Sequence, residues 1–334
     1  MQPNKKFITI VDNINQINQL LGEMVLQPRI SAIKWSAITK QTPNIKIGYP
    51  GQHLASLIAG MEGERTGARG NDLIDGSEVK SCSRIDQLDI CKKCDSPVAR
   101  LENKCSNCGS DEIERKNDSK WLFSIRNEEE LNTLIHGVKR VLLVLGDYPN
   151  FDDGDFSTLR FQVFEIWPEN KRNARFGEIM INYYYKIYLG HKNKNLAKTP
   201  APKNFWPYQY QFYICNPIPT FTCIVQNANS SPKIKILHYI KPDEDRSGIQ
   251  SVVMPVEILK DPEIALIFKK AKPWEIKKMM KPAFYKNLTK LSKFSIAEKR
   301  EFLGGVDETL RSYLPLRDTD KISTAKSKYA RRTH

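Results

Sequence analysis

The sequence predicts an α/β protein: a mixed β-sheet flanked by helices, interrupted by a four-cysteine module. Three observations predict it. Apolar residues recur at helical spacing in the first sixty positions; strand-like runs follow; and two CxxC pairs, Cys91/Cys94 and Cys105/Cys108, stand ten residues apart. Over residues 12–27, Ile14, Ile17, Leu20, Leu21 and Met24 form one helical stripe. A loop with Pro28, Arg29 and Pro43 is expected next. A second helix, starting near Gly51, puts Leu54, Leu57, Ile58 and Met61 on one face, with Gly67 and Gly70 stopping it.

Residues 71–82 read as two short strands around Asp75-Gly76, a turn signal. After the cysteines, WLFSIR (121–126) reads as a strand. Asn127 then suits a helix N-cap, with Glu130 completing a capping box and Leu131, Leu134, Ile135 and Val138 forming the stripe. The run RVLLVLG (140–146) predicts a strand buried on both faces. Strands are also expected at 157–167 and 233–240, and the tyrosine-dense stretch 183–213 suits either aromatic and amide groups set against bases or, more often, ordinary packing in a β-rich core. Residues 269–293 carry nine lysines and one acid, Glu275, which suits either phosphate contacts or a solvated helical face. This organisation divides the chain into a core with N-terminal helices (1–150), a metal-ribbon insertion (88–112), a mixed α+β part (151–316) and a basic flexible tail (317–334).

Lys and Arg total 52 against 38 acids, a net charge of +14 with a pI near 9.3. Such an excess points to a polyanionic partner, with nucleic acid first. No apolar run reaches the ~18 residues of a membrane span, and the N-terminus lacks a signal segment, so no membrane association and a cytoplasmic location are expected. In a reducing compartment paired CxxC motifs read as metal ligands. Four thiolates satisfy tetrahedral Zn²⁺ and leave no open position, which makes the expected role of Cys91, Cys94, Cys105 and Cys108 structural. The five histidines are scattered, no nucleophilic triad is visible, and no glycine-rich ATP-binding loop is present.

The segment from Asp72 to Lys80 carries the chemistry. Carboxylates that hold a divalent cation, beside a lysine that steadies phosphate charge, are what phosphodiester hydrolysis requires. Glu78 and Lys80, two apart, share one side of a strand. Asp72 joins them only if residue 72 lies opposite 78. A two-residue turn would turn it away; a three-residue loop, Ile74-Asp75-Gly76, with glycine in the left-handed conformation, brings it in.

The helix–strand–strand–strand–helix–strand order, with an acid followed by Glu-x-Lys across a hairpin, resembles the PD-(D/E)xK nuclease superfamily, and within it the type II restriction endonucleases. The resemblance covers roughly residues 50–146. It implies a restriction-endonuclease-like αβββαβ core, Asp72 and Glu78 as Mg²⁺ ligands and Lys80 assisting the attacking water. It further implies a homodimer acting on double-stranded DNA, 5′-phosphate products and a cognate DNA methyltransferase encoded nearby. Asn71 stands where family members often have proline, and the gap from Asp72 to Glu78 is short, which leaves Asp75 as the alternative first acid. An additional acid before the first strand is common in the superfamily; Glu62 is the first candidate and Glu64 the second, with Arg65 and Arg69 as phosphate contacts. Two rivals remain: a non-catalytic zinc-ribbon DNA-binding protein, and a repair or junction-resolving nuclease on the same core.

Overall fold

The computed structural model describes residues 1–44, 46–64 and 71–317. The chain forms two compact units that interleave along the sequence: residues 1–121, 137–167 and 218–249 make the first, and residues 122–136, 168–217 and 250–334 the second.

The first unit is built on a five-stranded sheet of β1 (Glu78–Ser83), β6 (Val141–Asp147), β7 (Leu159–Ile166), β9 (Ile218–Gln226) and β10 (Lys233–Tyr239), in that order. β1 and β6 run parallel, with Glu78 opposite Val141 and Lys80 opposite Leu143; every later pair is antiparallel. All seven residues of β6 are buried, as expected of a run apolar on both faces. The sheet therefore draws strands from both sides of residue 150. Helices α1 (Asn13–Leu21), α2 (Gln27–Thr39) and α3 (Gly48–Ala59) precede it. Ile17, Leu21, Leu54, Ala55 and Ile58 pack with Val79, Leu142, Val144 and Phe161 in one core. A Cβ at Gly51 would meet the Ser81 hydroxyl oxygen at 2.3 Å, so α3 approaches β1 closely only because that residue is glycine.

Small strands β2 (Asp89–Cys91), β3 (Pro97–Val98) and β4 (Ile113–Glu114) make the ribbon sheet. The ribbon joins the core through a buried ionic knot. Asp89, fully buried, meets Arg100 at 3.0 Å and Arg115 at 2.7 Å, and the Arg100 guanidinium lies 4.8 Å from the Phe151 ring centre.

The second unit is mainly helical. It contains Leu122 and Phe123 of β5 (Trp121–Phe123), a strand that pairs with β8 (Lys203–Phe205), helices α4 (Glu128–Asn132), α5 (Ala174–Asn182), α6 (Leu189–Lys194) and α7 (Tyr210–Ile214), and a C-terminal group α8 (Asp261–Lys270), α9 (Pro273–Met279), α10 (Ile296–Phe302) and α11 (Glu308–Arg311). Asn127 caps α4, its side chain accepting from Glu130 N at 2.7 Å.

Five expectations are corrected. The first helix does not end before Pro28. A π-helical turn over Gly22–Leu26 leads directly into α2, where proline occupies the first turn and its missing N–H is absorbed. Arg29, expected in a loop, is buried and donates to Asn229 and Tyr148. Residues 71–74 form no strand: Leu73 makes an isolated bridge with Gly63. β5 is not a rung of the five-stranded sheet; instead the Trp121 indole donates to the Val144 carbonyl at 2.8 Å. The central sheet thus departs from the simple αβββαβ succession. Finally, the tyrosines at 183–188 are helical. Tyr184 and Tyr188, four apart, stack at 5.7 Å, and Phe176, Ile179, Met180 and Tyr183 are buried at helical spacing. The proposed tail lies outside the described residues from 318 onward, as do Arg65, Gly67, Arg69 and Gly70.

Candidate active site

The turn after α3 determines where Asp72 goes. Leu73 N donates to Ser77 O at 3.1 Å and Gly76 N to Leu73 O at 3.0 Å, which closes a three-residue loop over Ile74, Asp75 and Gly76. Gly76 has φ +85°, the left-handed conformation such a loop needs and that a side chain resists. The loop forms although its first arm is not a strand. That arm is held instead by residues 62–64: Glu64 N donates to Asp72 O at 2.9 Å and Ile74 N to Glu62 O at 3.2 Å.

Asp72 is thereby folded back onto β1, where one carboxylate oxygen accepts from Val79 N at 2.7 Å. The Glu78 carboxylate is ion-paired and hydrogen-bonded to Lys80 Nζ. Glu78 and Lys80 remain partly open, with 17% and 28% of their side chains exposed. Burial pushes the Asp72 carboxyl above its ordinary range, against the Val79 N–H and the Lys80 charge. Burial likewise raises Glu78, with Lys80 pulling down and the Asp72 charge adding to the rise. Two desolvated acids, one of them raised further by the other's charge, form beside one ammonium a site that gains by accepting a cation.

Asp75, the alternative first acid, is engaged elsewhere. Its carboxylate is buried against Arg140 at 3.3 Å and accepts from Ser77 N at 3.0 Å. Arg140, which sequence reading took only as the flank of an apolar run, is the organiser of this loop. Fully buried, it donates to Ser77 Oγ at 3.0 Å and to Glu165 at 3.0 Å, and its carbonyl accepts from Glu78 N at 2.9 Å. Glu165 also meets Arg246 at 3.3 Å and accepts from the Trp167 indole at 3.0 Å. Burial alone would raise the Glu165 carboxyl; Arg140 and Arg246 together hold it below its usual range. The only signal of this role in the sequence is a single arginine preceding a buried strand.

Glu62 and Glu64 are exposed, and a Glu62 carboxylate oxygen accepts from the Thr9 hydroxyl at 3.2 Å. No contact joins either carboxylate to Asp72 or Glu78 among the described interactions. Cys82, beside Lys80, is buried and its thiol is pushed up to about 12, so it is no nucleophile.

The four ribbon cysteines place all their sulfurs within 4.8 Å of one another. Cys91 and Cys108 sulfurs lie 3.5 Å apart and Cys94 and Cys105 sulfurs 3.6 Å apart. A tetrahedral Zn–S distance of ~2.3 Å requires sulfur separations of about 3.8 Å, so the group fits such an ion. The two CxxC turns share one backbone design. Asp95 N donates to Cys91 O and Gly109 N to Cys105 O, both from positive-φ residues (+58° and +72°), while the Cys91 and Cys105 amides donate to the Ser96 and Ser110 carbonyls.

The MamI restriction endonuclease family matches this chain over residues 34–257, two-thirds of its length. The type II restriction enzyme MamI of Microbacterium ammoniaphilum is 30% identical over 82 residues, covering 25% of this chain and 27% of that protein. The chain thus aligns with about a quarter of the length of that curated relative. No solved structure matches it. Among the described residues, no helix is long and apolar enough to cross a membrane.

Proposed function

Since the chain belongs to the MamI restriction endonuclease family, we propose that it is a type II restriction endonuclease. It hydrolyses phosphodiester bonds at a specific sequence in double-stranded DNA, requires Mg²⁺ and leaves 5′-phosphates. The observation that carries the reading is the loop closed by Gly76, through which Asp72 returns to the strand bearing Glu78 and Lys80.

Asp72 and Glu78 offer the hard oxygen donors that suit Mg²⁺. When bound there, that ion supplies Lewis acidity to the phosphoryl group and lowers the pKa of the attacking water. Lys80, held beside Glu78, hydrogen-bonds that water and stabilises charge growing on the phosphoryl oxygens. Asp75 and Arg140 do not touch substrate; they fix the loop's shape. Glu62 supplies a further acid, with Glu64 the alternative. Zn²⁺ on the four cysteines braces the ribbon. The protein works as a homodimer in the cytoplasm beside a methyltransferase that protects the host's sites. Residues 1–150 make the nuclease core, 151–316 the recognition and dimerisation part, and 317–334 a flexible tail.

The test is cleavage of unmethylated plasmid DNA by the purified chain in Mg²⁺, with sequencing of the ends. Discrete fragments with one terminal sequence are expected, and Lys80→Ala abolishes them while duplex binding persists. A protein that binds duplex yet cuts none refutes the enzyme reading, and cutting confined to mismatched or branched DNA refutes the restriction reading.

A further inference from the structure

The C-terminal group of helices in the second unit carries a surface whose charge is sorted by the fold. Glu275, the single acid among the nine lysines of residues 269–293, is buried. Its carboxylate accepts from Lys272 N at 2.7 Å, in a capping box at the start of α9, and from the Tyr313 hydroxyl at 2.9 Å. The outer side of α9 is left cationic. Trp274, Lys277 and Lys278, at spacings of three and four, share one helix face and are exposed, opposite buried Glu275 and Ile276.

Aromatic rings are interleaved with these charges. Trp274 is 61% exposed, and Tyr285 41% exposed with the Lys277 ammonium 5.6 Å from its ring centre. Lys281 and Lys286, on the segment that follows α9, are exposed as well. Lys278 is paired with Asp307 at 3.0 Å while more than half of its side chain stays in water. A merely solvated helix face alternates charges of both signs; this one turns its acid inward and keeps a large indole in water.

We propose that this face, centred on Trp274, Lys277, Lys281 and Lys286, is a docking surface for the phosphate backbone of duplex DNA. Charge complementarity commits the occupant: a polyanion with flat apolar edges between its charges matches lysines interleaved with aromatic rings. Lys277, Lys281 and Lys286 neutralise phosphates, and Trp274 lies against the sugar and base edges between them. The proposal rests on the nuclease reading and deepens it by assigning part of DNA binding to this segment.

The experiment uses the full chain and a fluorescein-labelled 30-base-pair duplex of mixed sequence, without Mg²⁺, with binding measured by anisotropy from 50 to 200 mM NaCl. Each lost phosphate contact makes the slope of log affinity against log salt shallower by about 0.9. The triple change Lys277→Gln, Lys281→Gln, Lys286→Gln therefore lowers the slope by about 2.7 and shrinks the affinity ratio between the two salt limits roughly 40-fold. Arginine at the same three positions restores the slope. Trp274→Ala leaves the slope unchanged and weakens binding by more than about fivefold. Removing equal charge elsewhere in this unit, with Lys192, Lys194 and Lys198 changed to Gln, leaves the slope within one unit. If the triple variant keeps the wild-type slope, or this control loses as much, the surface is refuted. Plasmid cleavage by the wild type in Mg²⁺ judges the nuclease reading separately, so a cutting enzyme with an unchanged triple-variant slope overturns the surface alone.

Discussion

Replacing Arg140 by methionine tests the physical basis of the proposed catalytic loop. The substitution keeps the volume and removes a guanidinium that is fully buried against Asp75, Ser77 and Glu165. Glu165 keeps Arg246 and the Trp167 indole, whereas Asp75 keeps only its local Ser77 N–H among the contacts described. Breaking a buried ion pair by removing one partner costs about 3–5 kcal/mol, because the surviving charge stays desolvated. Against a total stability of roughly 5–15 kcal/mol this is a large fraction. With a urea slope of about 2–3 kcal/mol/M, the unfolding midpoint drops by about 1–2.5 M. The assay is urea unfolding followed by tryptophan fluorescence at neutral pH and again at acidic pH. Glu165 is held low in the folded state, so its contribution is present above the unfolded carboxylate value near 4.5 and is lost as pH falls through the folded value. The Arg140→Met deficit therefore narrows in acid. Adding Glu165→Gln to Arg140→Met recovers part of the loss in a double-mutant cycle. A deficit below about 1 kcal/mol, or one that does not change with pH, refutes the claim that buried charge holds this loop.

Two further outcomes follow from the described geometry. Asp72 and Glu78 bind protons more readily folded than unfolded, so ionising them costs stability as pH rises from the ordinary carboxylate range through their raised values, and Mg²⁺ must compete with protons across that window. The Mg²⁺-induced rise in melting temperature accordingly fades on acidification before the ordinary carboxylate range is reached, and Lys80→Met moves that loss to higher pH; equal curves for both proteins refute it. At the ribbon, metal analysis of the purified chain returns one zinc per chain, and Cys105→Ser lowers it below half. Proteolysis then opens the ribbon first, and retention of zinc by that variant speaks against the four-cysteine site.

Much of this was legible because local rules governed it. The Asn127 cap, the buried run of β6 and the paired cysteines each state their structure within a few residues. Gly76 is the sharpest case. Bringing Asp72 opposite Glu78 requires a left-handed glycine at the end of the loop, and Gly76 adopts φ +85°. What escaped reading depended on distant partners. Leu73 was expected to extend a strand, but its partner is Gly63, and one bridge does not make a ladder. β9 went unnoticed because Pro219 interrupts its pattern and a bulge near Val163/Phe164 shifts its register. The density of tyrosines at 183–188 suggests a β-rich core, whereas the spacing of four between Tyr184 and Tyr188 matches the helix they form. Arg140 could not be found from sequence, since its partners lie on both sides of it, from Asp75 to Glu165.

The interleaving of the two units bears on the order in which the protein is made. Asp72, Glu78 and Lys80 leave the ribosome early, yet Glu165 shares its burial between Arg140 and Arg246, and the last two strands of the sheet end at Gln226 and Tyr239. A nascent chain halted before residue 246 carries every proposed catalytic group and lacks one of the two cations that neutralise the acid beneath them. At synthesis rates of ~5–20 residues per second, the interval between Lys80 and Arg246 lasts roughly 8–33 seconds. Fragments abandoned before Tyr239 therefore lack part of the sheet that carries the proposed site, and those that stop before Arg246 lack the second cation on Glu165.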